Sequence, residues 1–155
     1  MSEPFEPTGY KTEDQLIWGM RASHPGLLEI KIHNPKKMNA IGTPPERKIA
    51  EIVKAAQTDD NVKVILLHGG SFFSSGNDLS MFAKPMTDEE RQHVMVTGVK
   101  VVMVDMLMAM NTSIKPIVCV VRGAAIGIGF TLTAHSTFLY CSPEAKFMTP
   151  FMKSS

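Results

Sequence analysis

Cysteine, tryptophan and tyrosine are rare in the 155-residue sequence. It has two cysteines, Cys119 and Cys141, one tryptophan and two tyrosines. Two distant cysteines cannot form a disulfide framework and do not have the spacing of metal ligands. Their apolar neighbours predict buried, reduced thiols, and we predict no metal site.

An excess of charge is also missing. Lys and Arg total 16 against 15 Asp and Glu, a net charge of +1, so the sequence lacks the basic character of a nucleic-acid-binding protein. No uninterrupted apolar run approaches the about 18 residues of a transmembrane helix, and we predict no membrane span. Neither terminus carries a clear targeting signal, since the start is rich in acids and the last three residues, Lys-Ser-Ser, differ from the peroxisomal Ser-Lys-Leu.

The chain divides into two parts by composition. Residues 1–24 contain two prolines, two glycines and four acids, and we interpret them as a polar leader that is loose or packs against another element. Residues 25–155 carry the periodic patterns of a folded domain. We therefore predict one domain, 25–155, preceded by a leader, 1–24.

Strand and helix patterns alternate along that domain. Leu28, Ile30 and Ile32 alternate with polar residues, which predicts a half-buried strand. Capping boxes at 43–46 and 87–90 predict one helix beginning at Thr43 and another running to about Met110. Further strands are predicted at 62–67, 116–121, 137–141 and 146–149, with a helix at 130–135. This alternation predicts an α/β fold.

Two glycine-rich segments, 74–78 and 123–129, follow predicted strands. Glycine lets the backbone approach a ligand closely, and the first amides of a following helix have no intrahelical acceptor. Two such junctions could supply a pair of N–H donors to a developing oxyanion. The spacing does not match a dinucleotide-binding or phosphate-binding loop, and no motif places a nucleophilic serine.

The sequence blocks around these junctions resemble the enoyl-CoA hydratase/isomerase (crotonase) family. The matching blocks are Asn-Pro-Lys-Lys-Met-Asn-Ala at 34–40, Ser-Ser-Gly-Asn-Asp-Leu at 74–79, the run 116–123, the Gly127/Gly129 turn and the ending 145–151. They occur in order over 26–155. The second and last blocks look most like peroxisomal-type Δ3,Δ2-enoyl-CoA isomerases. The resemblance implies a spiral of ββα units that stops before the C-terminal helices of the family domain.

The resemblance also implies a site for an acyl-CoA thioester. The oxyanion-hole donors would be the backbone N–H groups of Asn77 and Ile128. Coenzyme A would be part of the substrate, with no separate cofactor. The residues implied in binding it are Ser75, whose carbonyl would accept from the adenine amino group, with Gly76, Gly127, Lys36 and Lys37.

The general base is where the sequence departs from the family. Hydratases use two glutamates, and Thr131 and Phe151 occupy those positions, which disfavours hydration. The isomerases use one glutamate, which the resemblance places a few residues beyond Phe151 and after Ser155. Glu144 lies in a turn on the wrong side of the last strand. We expect the 155-residue chain alone to show no isomerase turnover.

Two functions therefore stay open. The first is a Δ3,Δ2-enoyl-CoA isomerase of fatty-acid oxidation in the peroxisomal or mitochondrial matrix. The second is a catalytically inactive crotonase-fold subunit of a larger assembly, for example a mitochondrial one. The methionine-rich pattern of the helix ending near Met110 predicts burial on several sides, either in its own core or against a partner. The partners implied are the enoyl-CoA substrate and other copies or subunits.

Overall fold

A six-stranded mixed sheet is the centre of the structure. The computed structural model describes residues 9–83 and 85–150. The strands are β1 (Lys11–Glu13), β2 (Leu16–Met20), β3 (Leu27–Ile32), β4 (Val64–His68), β5 (Ile117–Val121), β6 (Ala124–Ile126), β7 (Phe138–Cys141) and β8 (Lys146–Met148). The order of the large sheet is β1-β2-β3-β4-β5-β7, and a second sheet pairs β6 with β8. In the large sheet β1 pairs with β2 and β2 with β3 in antiparallel fashion, whereas β3, β4, β5 and β7 are parallel.

Helices connect the parallel strands and cover one face of the sheet. They are α1 (Thr43–Thr58), α2 (Asp88–His93), α3 (Met103–Asn111) and α4 (Ile128–Ala134). Short 3-10 helices occupy Pro35–Lys37 and Leu79–Phe82. The units β2-β3-α1 and β5-β6-α4 each follow a ββα pattern, as the resemblance implies. The predicted α/β class is confirmed.

The core lies between that sheet face and the helices. Alternate residues of the central strands point into it, since side chains in a strand alternate between faces. One face of α1 is buried there, and it includes Ile49, Ile52, Val53 and Ala56. The fully buried large side chains include Leu16, Ile30, Ile32, Ile49, Ile65, Leu67, Phe73, Met106, Ile117 and Leu132.

One continuous helix runs from Asp88 to Asn111. Thr87 accepts from the Glu90 N–H and the Glu90 carboxylate accepts from the Thr87 N–H, so the predicted capping box is confirmed. Between α2 and α3 the segment Val94–Val102 is π-helical. By length and composition alone this helix could cross a membrane. Met106 and Met110, near its C-terminal end, are buried in the core.

The prediction that this helix is buried on several sides is wrong for its outer side. Val101, Val104 and Met108 are exposed, Val101 by 59%. They lie three or four residues apart, so they share one face of the helix. The apolar pattern therefore reflects one face in the core and a second face that no described residue covers.

The interpretation of residues 11–20 as part of a leader is corrected by the structure. Strands β1 and β2 form a hairpin that adds to the edge of β3, and Leu16 is fully buried. Asp14 and Gln15 form its two-residue turn, both with positive φ. Such turns usually carry Asn-Gly or Asp-Gly, so Asp-Gln gives little signal. Residues 1–8 lie outside the described part of the chain.

The start of α1 also differs from the prediction. Its N-cap is Gly42, and no side chain caps it. Thr43 is the first helical residue, so Thr43 and Glu46 form no capping box. The Glu46 side chain is instead turned inward and is only 4% exposed. Burial raises the pKa of Glu46 to about 7.

The raised pKa of Glu46 predicts a specific pH dependence of stability. The folded state holds a proton on Glu46 at pH values where the unfolded chain, with a glutamate pKa of 4.5, has lost it. The free energy of unfolding should therefore fall as pH rises from about 4.5 through 7, by about 2–3 kcal/mol. Glu46→Gln should remove that loss and be more stable than the parent chain at pH 8.

Urea unfolding at pH 5 and pH 8 measures this difference. Glu51→Gln is the matched control, because Glu51 is an exposed glutamate of the same helix. It should change stability little at either pH. Equal pH dependence in Glu46→Gln and the parent chain would contradict the buried, protonated state.

The two cysteines differ in environment. Cys119 is buried in β5, as predicted, and burial raises the pKa of its thiol to about 12. A thiol with that pKa is unreactive at neutral pH. Cys141 is exposed in β7, so the prediction of burial is wrong for this residue.

Candidate functional site

The first glycine junction follows β4. The chain turns at residues 69–72, becomes buried at Phe73 and Ser74, and reaches Gly76 with a φ of +99°. A Cβ on Gly76 would lie 3.0 Å from the carbonyl oxygen of Ile126. Both the positive φ and this close approach require glycine at position 76.

The second junction follows β6. Gly127 has a φ of +54° and a ψ of −120°, a conformation that only glycine adopts readily, and α4 begins at the next residue, Ile128. A Cβ on Gly129 would lie 2.8 Å from the Cβ of Ser74. The first turn of α4 therefore packs directly on the first junction.

The two junctions meet at their glycines. A Cβ on Gly76 would lie 4.0 Å from the Cα of Gly127, and one on Gly127 would lie 3.9 Å from the Cα of Gly76. Each glycine immediately precedes one of the predicted donors, Asn77 and Ile128. The segments that present these two amides are thus in contact.

Neither of these amides donates a hydrogen bond to any residue that the structure describes. The Ile128 N–H is at the first position of α4, where a helix has no acceptor for it and where the helix dipole favours negative charge. Asn77 lies opposite Ile41 in a parallel β-bridge, but the hydrogen bonds of that bridge are made by the neighbours of Asn77. The Ile41 N–H donates to Gly76 O, and the Asp78 N–H donates to Ile41 O. Both N–H groups are therefore without an acceptor among the described residues, next to the point where the two junctions touch.

Ser75, predicted to bind coenzyme A through its carbonyl, lies in the first junction and is held by the segment before it. Ser75 donates from its N–H to Met38 O at 3.0 Å and from Oγ to Lys37 O at 3.0 Å. Its own carbonyl accepts from no residue in the described ranges. That carbonyl is therefore available to a donor group on a ligand.

The two lysines have different surroundings. Lys37 Nζ lies 2.7 Å from Asp78 Oδ2 and 2.9 Å from Ser80 Oγ. The hydrogen bond from Lys37 lowers the pKa of Asp78, so this ion pair is present at neutral pH. Lys36 is exposed and forms no ion pair within residues 9–83 and 85–150. Lys36 can approach an anionic ligand without breaking an existing contact.

Asn39 holds this region together, which the sequence did not indicate. It is 6% exposed, and its Nδ2 donates to Gly69 O at 2.9 Å and Phe72 O at 2.7 Å. Its Oδ1 accepts from the Asn34 N–H at 2.8 Å. Its φ of +55° is one that asparagine tolerates better than most residues. The side chain therefore joins the segment 34–40 to the loop after β4.

A second polar cluster lies on the other face of the sheet. Glu29 is buried and accepts from Tyr10 Oη at 2.6 Å and from His68 Nε2 at 2.8 Å, with Arg21 3.3 Å away. Burial alone would raise the pKa of Glu29, but the hydrogen bonds from His68 and Tyr10 lower it overall. His68 Nδ1 accepts from the Gly70 N–H, which leaves Nε2 to carry the proton. This cluster ties the β1–β2 hairpin to the end of β4.

The positions that carry glutamates in hydratases supply no carboxylate in the described chain. Thr131 is half-buried, and its hydroxyl donates to Gly127 O at 3.3 Å. Glu144 is exposed in the turn before β8. Phe151 lies outside the described residues. Within those residues no three His, Cys, Asp or Glu side chains are grouped as metal ligands.

Known proteins resemble this chain in sequence and in fold. The family model described as enoyl-CoA hydratase/isomerase matches residues 22–154. The chain is 35% identical over 131 residues to enoyl-CoA delta isomerase 2 of Homo sapiens, covering 83% of this chain and 32% of that protein. It is 33% identical over 133 residues to enoyl-CoA delta isomerase 3, peroxisomal, of Mus musculus, covering 86% and 41%. The chain thus spans less than half the length of these relatives.

Solved structures share the fold. An enoyl-CoA hydratase/carnithine racemase from Magnetospirillum magneticum superposes with a TM-score of 0.81 at 21% identity, over 95% of this chain and 53% of that one. At that identity the likeness concerns the fold alone. The family match across most of the sequence and the shared fold lead to one conclusion: this chain belongs to the enoyl-CoA hydratase/isomerase family.

Proposed function

We propose that this chain forms the thioester-binding part of a Δ3,Δ2-enoyl-CoA isomerase of fatty-acid oxidation. The observation that carries the proposal is the pair of amides, Asn77 N–H and Ile128 N–H, left without acceptors at two touching glycine junctions. The relatives named above are delta isomerases, which supports isomerisation over hydration.

The two amides would act on the thioester carbonyl oxygen. In the isomerisation a base removes a proton from C2 of 3-enoyl-CoA, and the electron pair moves onto that oxygen as a dienolate forms. The proton is then returned at C4, which moves the double bond to C2–C3 without net oxidation. Donors fixed before the reaction stabilise the oxyanion, and in enzymes one such donor contributes about 10²–10³ in rate. Asn77 and Ile128 supply this part of the reaction.

The proton-transfer group is a separate requirement. The Thr131 hydroxyl is not a base near neutral pH, and it already donates to Gly127 O. The family resemblance puts the isomerase glutamate a few residues after Phe151, outside the described part of the chain. Hydration would need two carboxylates. Thr131 occupies the position of one of them, and this replacement is enough to disfavour hydration.

Coenzyme A would enter as part of the substrate, with no additional cofactor. The free Ser75 carbonyl is suited to accept from the adenine amino group. Lys36 is suited to approach the CoA phosphates, whereas Lys37 would have to exchange Asp78 for them. Peroxisomal or mitochondrial localisation is proposed with this function, and the name of the mouse relative supports the peroxisome.

A second candidate function is favoured by the uncovered helix face. Val101, Val104 and Met108 form an exposed apolar row, which suits a subunit held in a homo-oligomer or larger assembly for its shape. In that function the chain need not turn over substrate. The two functions differ in whether a thioester is bound and converted.

Calorimetric titration with octanoyl-CoA and with free coenzyme A tests the proposed function. We expect octanoyl-CoA to bind about tenfold more tightly than coenzyme A, because two further hydrogen bonds form to its carbonyl. Gly127→Ala should remove most of that difference, since a side chain at a φ of +54° redirects the backbone before Ile128.

Gly9→Ala is the matched control. Gly9 also has a positive φ, of +88°, but a Cβ there would have no neighbour within 4 Å. It should leave binding unchanged. Equal affinity of the parent chain for octanoyl-CoA and coenzyme A would contradict thioester recognition. A parallel assay with 3-enoyl-CoA, followed by absorbance of the conjugated product, distinguishes turnover from binding alone.

A further inference from the structure

Ser74 lies between the two glycine junctions and contacts both. Its side chain is fully buried. The Oγ atom donates to Asn39 O at 2.8 Å and accepts from the Gly76 N–H at 3.1 Å. The hydroxyl therefore fixes the orientation of the peptide just before Gly76, one residue ahead of Asn77.

The main chain of Ser74 is bound to the second junction. Its N–H donates to Ala124 O at 3.0 Å, and its carbonyl accepts from the Ile126 N–H at 3.0 Å. These are the two ends of β6, which leads directly into Gly127. The Ser74 side chain also packs on Gly129, where a Cβ would lie 3.1 Å from its Oγ. One residue thus touches the segments that present both amides.

We propose that Ser74 is a positioning residue that sets the direction of the Asn77 amide relative to the Ile128 amide. The inference rests on the proposed function, in which both amides donate to the thioester oxygen. Oxyanion donors act at about 2.7–3.1 Å from the oxygen atom. A displacement of the Asn77 nitrogen by about a few tenths of an ångström would therefore weaken its hydrogen bond.

Without the hydroxyl, the Gly76 N–H and Asn39 O lose this buried partner, and the Ser75–Gly76 peptide loses that restraint. The next peptide, which carries the Asn77 N–H, then keeps only the hydrogen bond from Ile41 N–H to Gly76 O among those of the described residues, so its direction is less tightly set.

The test is the carbon-13 resonance of octanoyl-CoA labelled at the thioester carbonyl, because donation to that oxygen moves it downfield. In the parent chain we expect a downfield shift on binding. Ser74→Ala should lose most of that shift and bind the thioester about tenfold more weakly, because a donor is misdirected. Ser74→Cys keeps a weak donor of similar shape and should retain an intermediate shift.

Ser113→Ala is the matched control. Ser113 Oγ donates to Lys115 O at 2.8 Å in the loop before β5, at the opposite end of the sheet from the junctions. Its loss should lower stability without changing the shift. If Ser74→Ala does not fold, Ser74→Cys carries the test.

The possible results separate the two proposals. A parent chain that binds no thioester, or binds it without a downfield shift, overturns the proposed function and this inference with it. A normal shift in the parent chain that Ser74→Ala retains in full overturns the positioning role alone, as does full retention in Ser74→Cys where Ser74→Ala does not fold. Loss of the shift in Ser74→Ala but not in Ser113→Ala supports it.

Discussion

Replacing Asn39 by leucine is expected to lower the free energy of unfolding by about 3–5 kcal/mol. The change leaves the carbonyls of Gly69 and Phe72 and the N–H of Asn34 without their partner in a site that is nearly closed to water. Each buried group left unsatisfied costs about 1–3 kcal/mol. Leucine also resists the φ of +55° at this position.

Urea unfolding followed by the fluorescence of Trp18 measures the change. Asn39→Gly separates the two causes, because glycine accepts the positive φ but makes none of the side-chain hydrogen bonds. Asn61→Leu is the exposed control, since Asn61 bonds only within its own turn, to Asp59. A loss below about 1 kcal/mol in Asn39→Leu would show that the hydrogen bonds of Asn39 do not hold the loop.

The second large effect is expected at Gly129. A valine there would place its Cβ 2.8 Å from the Cβ of Ser74, with no flexible side-chain end to yield. The first turn of α4 must then move away and carry the Ile128 amide with it. We expect the affinity for octanoyl-CoA to fall about tenfold, to about that for coenzyme A, equivalent to about 1.4 kcal/mol.

Titration calorimetry gives the affinity, and circular dichroism shows whether the variant is folded. Ala134→Val is the control for a β-branched residue in the same helix, because Ala134 is exposed at the other end of α4. It should bind as the parent chain does. A folded Gly129→Val protein with unchanged affinity would show that the thioester does not bind at these junctions.

The parts of the fold that were predicted correctly depend on local patterns. The alternation around Ile30 gives β3, the capping box at Thr87 begins the long helix, and the glycines at 76, 127 and 129 lie at close backbone contacts. Each of these signals is contained within a few consecutive residues.

The parts that were missed depend on partners far away in the sequence. Alternation made Glu29 look solvent-facing, but Tyr10, Arg21 and His68 enclose it. Nothing near Asn39 indicates that it binds carbonyls 30 or more residues away. Strand β6 has only three residues and is formed through its pairing with β8 and Ser74.

The order of strands in the large sheet has a consequence for how the chain is made. From β1 to β5, each strand pairs with the one synthesised before it, and β7 is added beyond β5. No strand has to insert between two that are already paired. A nascent chain emerging from the ribosome can therefore assemble the sheet in the direction of synthesis, each parallel strand docking on a finished edge after its helical crossover. An intermediate stalled during synthesis should be the same sheet with fewer strands, and the edge of its last strand should still be unpaired.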